Sequence, residues 1–386
     1  MKTLLFVTGG RGGSDFFQGL LDGHSQILQF PGELRINKDF QEMISLDAPD
    51  QISKRFINLY PYYFDSRIGH GRFERHHRLG KKKNKFYKVN KKKFVKNFSK
   101  LMNKKENLSK IEIIKSLHIA YSLAKGEKKC EKKVLFIHTH LVSWTKEFVK
   151  TIKSKNTTII HIIRHPLASI NSPIKTWLTF ENGKDFFSKE LYFQLDLVFN
   201  GIFDLMKLKK VYIIQYEKLH WQNERVMKDF CKIFKLKYEK CLKSSTKFGL
   251  QWWGDKASQR WISGVNKNFK ININKFYFFD RDLKFFQFLS ERIIKYYKYE
   301  FMFPYKKIYF NFLPMKCELL VWKNSFKHLK WKKIFAIPVF YLIRIFLINK
   351  FIMQNRKLPY SIGSKKKIWL GNRFSILKKL LKLIIC

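Results

Sequence analysis

The sequence predicts an α/β protein: a parallel sheet with helices on both faces, followed by a basic helical C-terminal extension. Three observations lead there. Apolar runs of strand length recur at Thr3–Thr8, Lys133–Thr139, Thr157–Ile163 and Val211–Gln215. Between them lie stretches with apolar residues at helical spacing, such as Phe16, Phe17, Leu20 and Leu21, or Val226, Phe230 and Phe234. Strands alternating with helices imply parallel pairing, because a parallel neighbour is reached only through a crossover. Finally, the turns richest in anion-binding residues follow strands directly, at the edge where open sheets bind ligands.

The first such turn is Gly9-Gly10-Arg11-Gly12-Gly13-Ser14, leading into a helix from Asp15 to Leu21. Its glycines permit positive φ and close backbone approach, so consecutive N–H groups can point at phosphate oxygens. A helix start adds partial positive charge, Arg11 a planar fork and Ser14 a hydroxyl. Gly10, Arg11, Gly12, Gly13, Ser14 and Asp15 are therefore candidate anion ligands, against the plainer reading of a tight strand-to-helix turn. The second turn closes Thr157–Ile163 with Arg164, followed by Pro166 and, eight residues after the arginine, Ser172.

With both turns in this order, the chain resembles the sulfotransferase family that uses 3′-phosphoadenosine-5′-phosphosulfate on a P-loop NTPase-like fold. The family's first-strand loop is matched by Arg11-Gly12-Gly13-Ser14-Asp15, and its later arginine and serine by Arg164 and Ser172. The resemblance implies that the loop holds the 5′-phosphosulfate and that Arg164 with Ser172 holds the 3′-phosphate. It continues through Gln215-Tyr216-Glu217-Lys218-Leu219, Trp252-Trp253-Gly254-Asp255 and Ser263-Gly264-Val265-Asn266, covering about residues 1 to 300. In the last segment the family closes over the nucleotide, which makes Arg260 a candidate contact. Asp15 stands where the family has a second hydroxyl residue, and His165 where it has an aspartate.

Between these motifs lie the candidates for proton transfer. After a short strand at Ile27–Phe30, the Pro31-Gly32 turn presents Glu33, which would return to the carboxyl edge and could accept a proton there. Pairing with Arg35 is the alternative. His138 and His140 end the Lys133–Thr139 strand and suit a base or a donor to a leaving oxygen, or merely structural hydrogen bonds. The implied reaction transfers a sulfuryl group to a hydroxyl or amine of a glycan, glycolipid or small alcohol. Glu33, Arg11, His138 and His140 form the catalytic set, and no metal is required. Gly13-Ser14-Asp15 lacks the Gly-Lys-Ser/Thr ending of a Walker loop, which disfavours a kinase. The rival from another class is an inactive relative that binds membranes or polyanions by charge, with Asp15 marking a lost site.

A chain of 386 residues with 45% hydrophobic content can bury a sizeable core. The expected organisation is a catalytic domain over 1–303, with a Lys-rich insertion at about 65–130, and a tail over 304–386. The net charge of +49 draws anionic partners: an acidic glycan or glycolipid acceptor and an anionic membrane surface, with no specific nucleic acid expected. Between Lys81 and Lys110 stand 13 lysines and one acid, Glu106, a solvated face or an acceptor-binding insertion. Arg67, Arg72, Arg75 and Arg78 with His70, His76 and His77 suggest an anion-facing loop. Pro173 is expected to interrupt the chain before a helix at Lys184–Lys207, and Trp252 or Trp253 to plug the core or stack on adenine.

Cys130, Cys231, Cys241, Cys317 and Cys386 show no paired spacing, so reduced thiols are expected. Met1–Val7 is too short for a leader, and a cytoplasmic location is the expectation. From Pro304 onward 19 Lys and Arg face one acid, Glu318. Ile334–Ile348 is apolar but shorter than the about 20 residues of a membrane span. Phe374–Ile385 is amphipathic and cationic, suited to peripheral contact with the inner face of a membrane or to packing as a helical subdomain.

Overall fold

Strand β1 (Lys2–Thr8) is buried from Thr3 onward, and its side chains alternate between two separate cores. Leu4 and Phe6 enter one, Leu5 and Val7 the other. A strand buried on both faces belongs in the middle of a parallel sheet. The computed structural model describes residues 1–8, 12–68, 78–103, 108–127, 131–140, 157–180, 211–254, 263–271, 273, 275–304, 313–327, 367–369 and ten residues between 331 and 349.

Six strands, every neighbouring pair parallel, run in the order β2-β3-β1-β4-β5-β8. They are β2 (Ile27–Leu28), β3 (Val134–Thr139), β4 (Thr157–Ile163), β5 (Val211–Gln215) and β8 (Lys367–Trp369), with a separate hairpin of β6 (Thr246–Lys247) and β7 (Leu250–Gln251). On one face, helices α1 (Ser14–Leu20) and Asn223–Phe234 meet Leu4, Phe6, Phe136, Ile160 and Ile214. Phe6 lies 5.0 Å from Phe17 and 5.4 Å from Phe136 between ring centroids. Losing such a ring costs about 3–5 kcal/mol. The opposite face is covered by Pro49–Leu59, Lys91–Met102, Lys110–Lys125, Pro166–Phe180, Asp280–Leu289 and Glu291–Tyr297.

The lysine-rich stretch resolves into physics. In Lys91–Met102, Phe94, Phe98 and Met102 are buried one helical turn apart, while Lys91, Lys92, Lys93, Lys96 and Lys100 are exposed. Apolar residues at that spacing make one stripe, and the lysines occupy the other side.

Three details differ from expectation. Strand β2 stops at Leu28 rather than Phe30, because the Phe30 carbonyl accepts from the side chain of Gln18 instead of from a neighbouring strand. Helix Pro166–Phe180 runs on through Pro173; burial of Leu167, Ile170 and Ile174 offsets the helical hydrogen bond the proline cannot donate. Strand β8 extends the sheet beside β5 with residues from far along the chain. Gly10, Arg11, Arg260, the histidines at 70, 76 and 77, Lys184–Lys207 and Phe374–Ile385 lie outside the described residues. Among the described residues, no helix is long and apolar enough to cross a membrane.

Candidate functional site

Register brings the predicted turns to one edge. Val7 pairs with Thr139, Thr8 with Ile162, and Ile163 with Gln215. The chain therefore leaves β3, β1, β4 and β5 at the same level, at His140, the glycine turn, Arg164 and Tyr216. Four adjacent strands span about 14 Å at the usual interstrand spacing. From β1 the chain passes to β2, on the β3 side of the sheet, and from β4 to β5, on the other side. A reversal of this kind opens a crevice between the two strands, where ligands of such sheets bind.

Gly13 caps the start of α1 with φ 89° and ψ 23°. That left-handed conformation suits glycine, and contact enforces it, since a Cβ there would lie 2.1 Å from Cδ2 of Tyr216. The same tyrosine ring carries the Arg164 guanidinium 5.3 Å from its centroid. Tyr216 thus joins the glycine turn to the arginine. The buried Nε of Arg164 has no hydrogen-bond partner among the described residues, so one charged donor at this edge is left to spare.

Behind Arg164 the structure is tightly fastened. The His165 N–H donates to Oε1 of Glu217 at 2.8 Å, and the Tyr299 hydroxyl donates to Oε2 at 2.8 Å. Glu217 is fully buried, and burial pushes its carboxyl above the usual range. His165 donates from Nε2 to the Glu300 carbonyl at 3.2 Å, and burial lowers its imidazole to about 4. His220, against Phe16 and Phe269, is also lowered to about 4, by burial first and then by the Arg164 charge. Ser172 lies in helix Pro166–Phe180, beyond Arg164 on the same excursion from β4.

On the other side of the crevice, three predicted residues meet. Ser14 Oγ is 3.0 Å from His140 Nε2, and His140 Nδ1 is 3.3 Å from Glu33 Oε2. The His140 N–H also donates to Glu33 Oε1 at 3.2 Å. With the ring proton on Nδ1, toward the carboxylate, Nε2 accepts from the serine hydroxyl. Arg35 Nε stands 3.7 Å from the same carboxylate, the pairing that is the alternative reading of Glu33. Glu33 is buried, whereas the His140 side chain is 33% exposed. His138 differs: it is buried, and its Nδ1 lies 2.9 Å from Oε1 of Gln18. Asp15 occupies the first turn of α1, half-buried.

The loop bearing Glu33 is held by its backbone. Leu34 N–H donates to the His138 carbonyl at 2.8 Å, and Gln18 Nε2 to the carbonyls of Phe30 and Gly32 at 2.8 and 3.1 Å. Tyr62 and Tyr63 hydroxyls donate to the Glu33 carbonyl, and Tyr60 to that of Arg35. Burial pushes the Tyr60 and Tyr63 phenols up, which keeps them donors. Gln18, these tyrosines and Tyr299 were not anticipated from sequence. Gln18 follows Ser14 by four residues on one helix face, which was the readable signal; Tyr299 carries none.

The tryptophans separate. Trp252 is a buried core residue, and Trp253 donates from Nε1 to the Gly80 carbonyl at 2.8 Å.

No protein-family model matches the chain, and no curated protein matches it. Among solved structures, it is similar to the sulfotransferase domain from the curacin biosynthetic pathway, at 16% identity and TM-score 0.38 over 79% of this chain and 93% of that one. It is also similar to the sulfotransferase domain from the Synechococcus PCC 7002 olefin synthase, at 15% identity and TM-score 0.35 over 62% and 76%.

Proposed function

We propose that the chain transfers a sulfuryl group from 3′-phosphoadenosine-5′-phosphosulfate to a hydroxyl or amine of an acceptor. The observation that carries this reading is the division of one sheet edge into two parts. One is a glycine turn joined through Tyr216 to an arginine with a spare buried donor; the other is a histidine set between a hydroxyl and a carboxylate. The first part suits a bisphosphorylated nucleotide, the second a proton transfer.

In this reading Gly12, Gly13 and Ser14, with Gly10 and Arg11, hold the 5′ end of the donor. Arg164 and Ser172 hold its 3′-phosphate, and Arg260 adds a contact from the closing segment. When bound, the donor supplies the transferable sulfuryl group. His140 receives the acceptor's proton at Nε2 as the acceptor's oxygen or nitrogen bonds to sulfur and the bond from sulfur to the 5′-phosphate oxygen breaks, releasing adenosine 3′,5′-bisphosphate. Glu33, whose carboxylate lies 3.3 Å from Nδ1, orients the ring and stabilises the imidazolium, so it acts as a positioning residue. Ser14 must first turn its hydroxyl away from Nε2, toward the donor. His138, enclosed against Gln18, supports the strand end. The net charge of +49 favours an acidic acceptor, a glycan or glycolipid.

The test is thermal stabilisation by adenosine 3′,5′-bisphosphate against AMP and ATP, in wild type and Arg164→Ala. At 100 times its dissociation constant a ligand adds about 2.7 kcal/mol. Selective stabilisation by the bisphosphate, lost in the variant, is expected. Equal shifts with all three nucleotides would overturn the donor assignment.

A further inference from the structure

Residues 316–349 hold a second surface that the reaction does not use. Helix Lys316–Lys327 and the described residues between 331 and 349, all helical, are pinned to the core by polar contacts. Arg344, fully buried, donates from Nε to Glu318 Oε1 at 2.6 Å and from Nη2 to the Leu313 carbonyl at 3.1 Å. Lys316 N–H donates to Asp282 Oδ2 at 3.0 Å, and Met315, Cys317, Val321 and Ile348 join the main core.

Among the described residues between 331 and 349, the exposed ones are apolar apart from Asn349. Trp331, Leu342 and Phe346 are 59, 64 and 69% exposed, and Pro338 is exposed too. At about 100° per residue these four fall within an arc of about 80° that also holds exposed Asn349, offset from buried Ile334, Arg344 and Ile348. A helix docked by one face normally turns a polar face to water. Here the described outward residues are apolar apart from Asn349. Nearby in the sequence, Trp322 and Phe326, one turn apart with centroids 5.8 Å from each other, are also exposed beside exposed Lys323 and Lys327.

We infer that this face seats on an anionic membrane surface, with Trp331, Leu342 and Phe346 entering the boundary between headgroups and acyl chains. Charge selects the occupant. The segment from 304 to 386 has 19 basic residues and one acid, and that acid, Glu318, is consumed by buried Arg344. Such a surface repels a second copy of this chain and attracts anionic lipid. Exposed leucine and proline suit acyl chains better than a nucleic acid, which rewards aromatic stacking and phosphate contacts.

The experiment is sedimentation of the full chain with vesicles of phosphatidylcholine alone or mixed with phosphatidylglycerol. Binding only to the anionic vesicles, weakened by salt, is expected, together with quenching by brominated acyl chains that falls in Trp331→Phe. Leu342→Ser and Phe346→Ser should each weaken binding on the order of tenfold. Leu342→Trp, which keeps the face apolar, should retain it, so a loss through misfolding is told apart. Unchanged binding in the double serine variant would overturn the inference. So would a wild-type dimer that the serine variants dissociate, without vesicle binding. None of these readouts depends on nucleotide, so they stand or fall apart from the donor assignment.

Discussion

The two halves of the carboxyl edge are built to opposite electrostatic ends. On the β4 and β5 side, burial lowers His165 and His220 to about 4 and raises Glu217, leaving the Arg164 guanidinium among groups that resist charging. On the β1 and β3 side, a partly exposed histidine lies between a hydroxyl and a buried carboxylate. In the proposed reaction one half holds a charge and the other moves a proton. The difference teaches that dry surroundings with a spare charged donor suit anion recognition, whereas proton transfer needs a ring with one face open to substrate.

The largest effect expected from breaking this contrast is on turnover. In the proposed reaction His140→Ala removes the proton acceptor, and it should slow bisphosphate release from the donor by roughly 10²–10⁴-fold. Its folding stability should stay close to wild type, because the ring is partly exposed. Glu33→Gln should cost less than His140→Ala. The reverse order would make Glu33 the base and His140 its support.

Next comes the joint between the halves. Gly13→Ala demands a left-handed alanine and places its Cβ 2.1 Å from the Tyr216 ring. Strain and overpacking together should destabilise the fold by about 2–4 kcal/mol in denaturant unfolding. Wild-type stability would mean that Tyr216 moves freely and does not link the turn to Arg164.

A smaller loss is expected at Glu217. Glu217→Ala strips the acceptor from the His165 N–H and the Tyr299 hydroxyl, which leaves buried donors unmet at about 1–3 kcal/mol. Combined with Tyr299→Phe, the losses should be less than additive, since both report one network. Full additivity would show that the two bonds are independent and that the β4 side is less tightly knit than its geometry suggests.

The sheet was legible because its strands are buried on both faces and so read as unbroken apolar runs. Thr157–Ile163 and Val211–Gln215 were read with the bounds the structure shows. Strand β8 was not legible, because Lys-Ile-Trp in a lysine-rich stretch has neither length nor alternation, and its pairing with β5 is purely tertiary. The meeting of Ser14, Glu33 and His140 depends on the order of strands, which no local spacing encodes. Each residue could be nominated singly, but not their contacts. Glu217 lay inside a motif already noted, yet its bonds to His165 and Tyr299 depend on contacts between distant parts of the chain.

The pH response is the sharpest test of the contrast, because it assigns a sign to each group. The His165 imidazole ordinarily titrates near 6.5 and is lowered to about 4 in the fold by burial. Between those values the unfolded chain binds a proton that the folded chain refuses. His165 therefore contributes stability that is full above 6.5 and is lost as pH falls toward 4, by up to about 1.4 kcal/mol per pH unit. His220, lowered to about 4, and fully buried His118, lowered to about 3, act in the same direction. Glu217 has the opposite sign: its raised carboxyl favours the protonated form in the fold, so its contribution is fullest below 4.5 and declines as pH rises through its folded value. Denaturant unfolding from pH 7 to 4 should show stability falling with acidity, more gently in His165→Gln. Glu217→Gln should steepen the fall. If His165→Gln leaves the slope unchanged, the imidazole titrates as it would in water, and the β4 side is not the dry half of the edge.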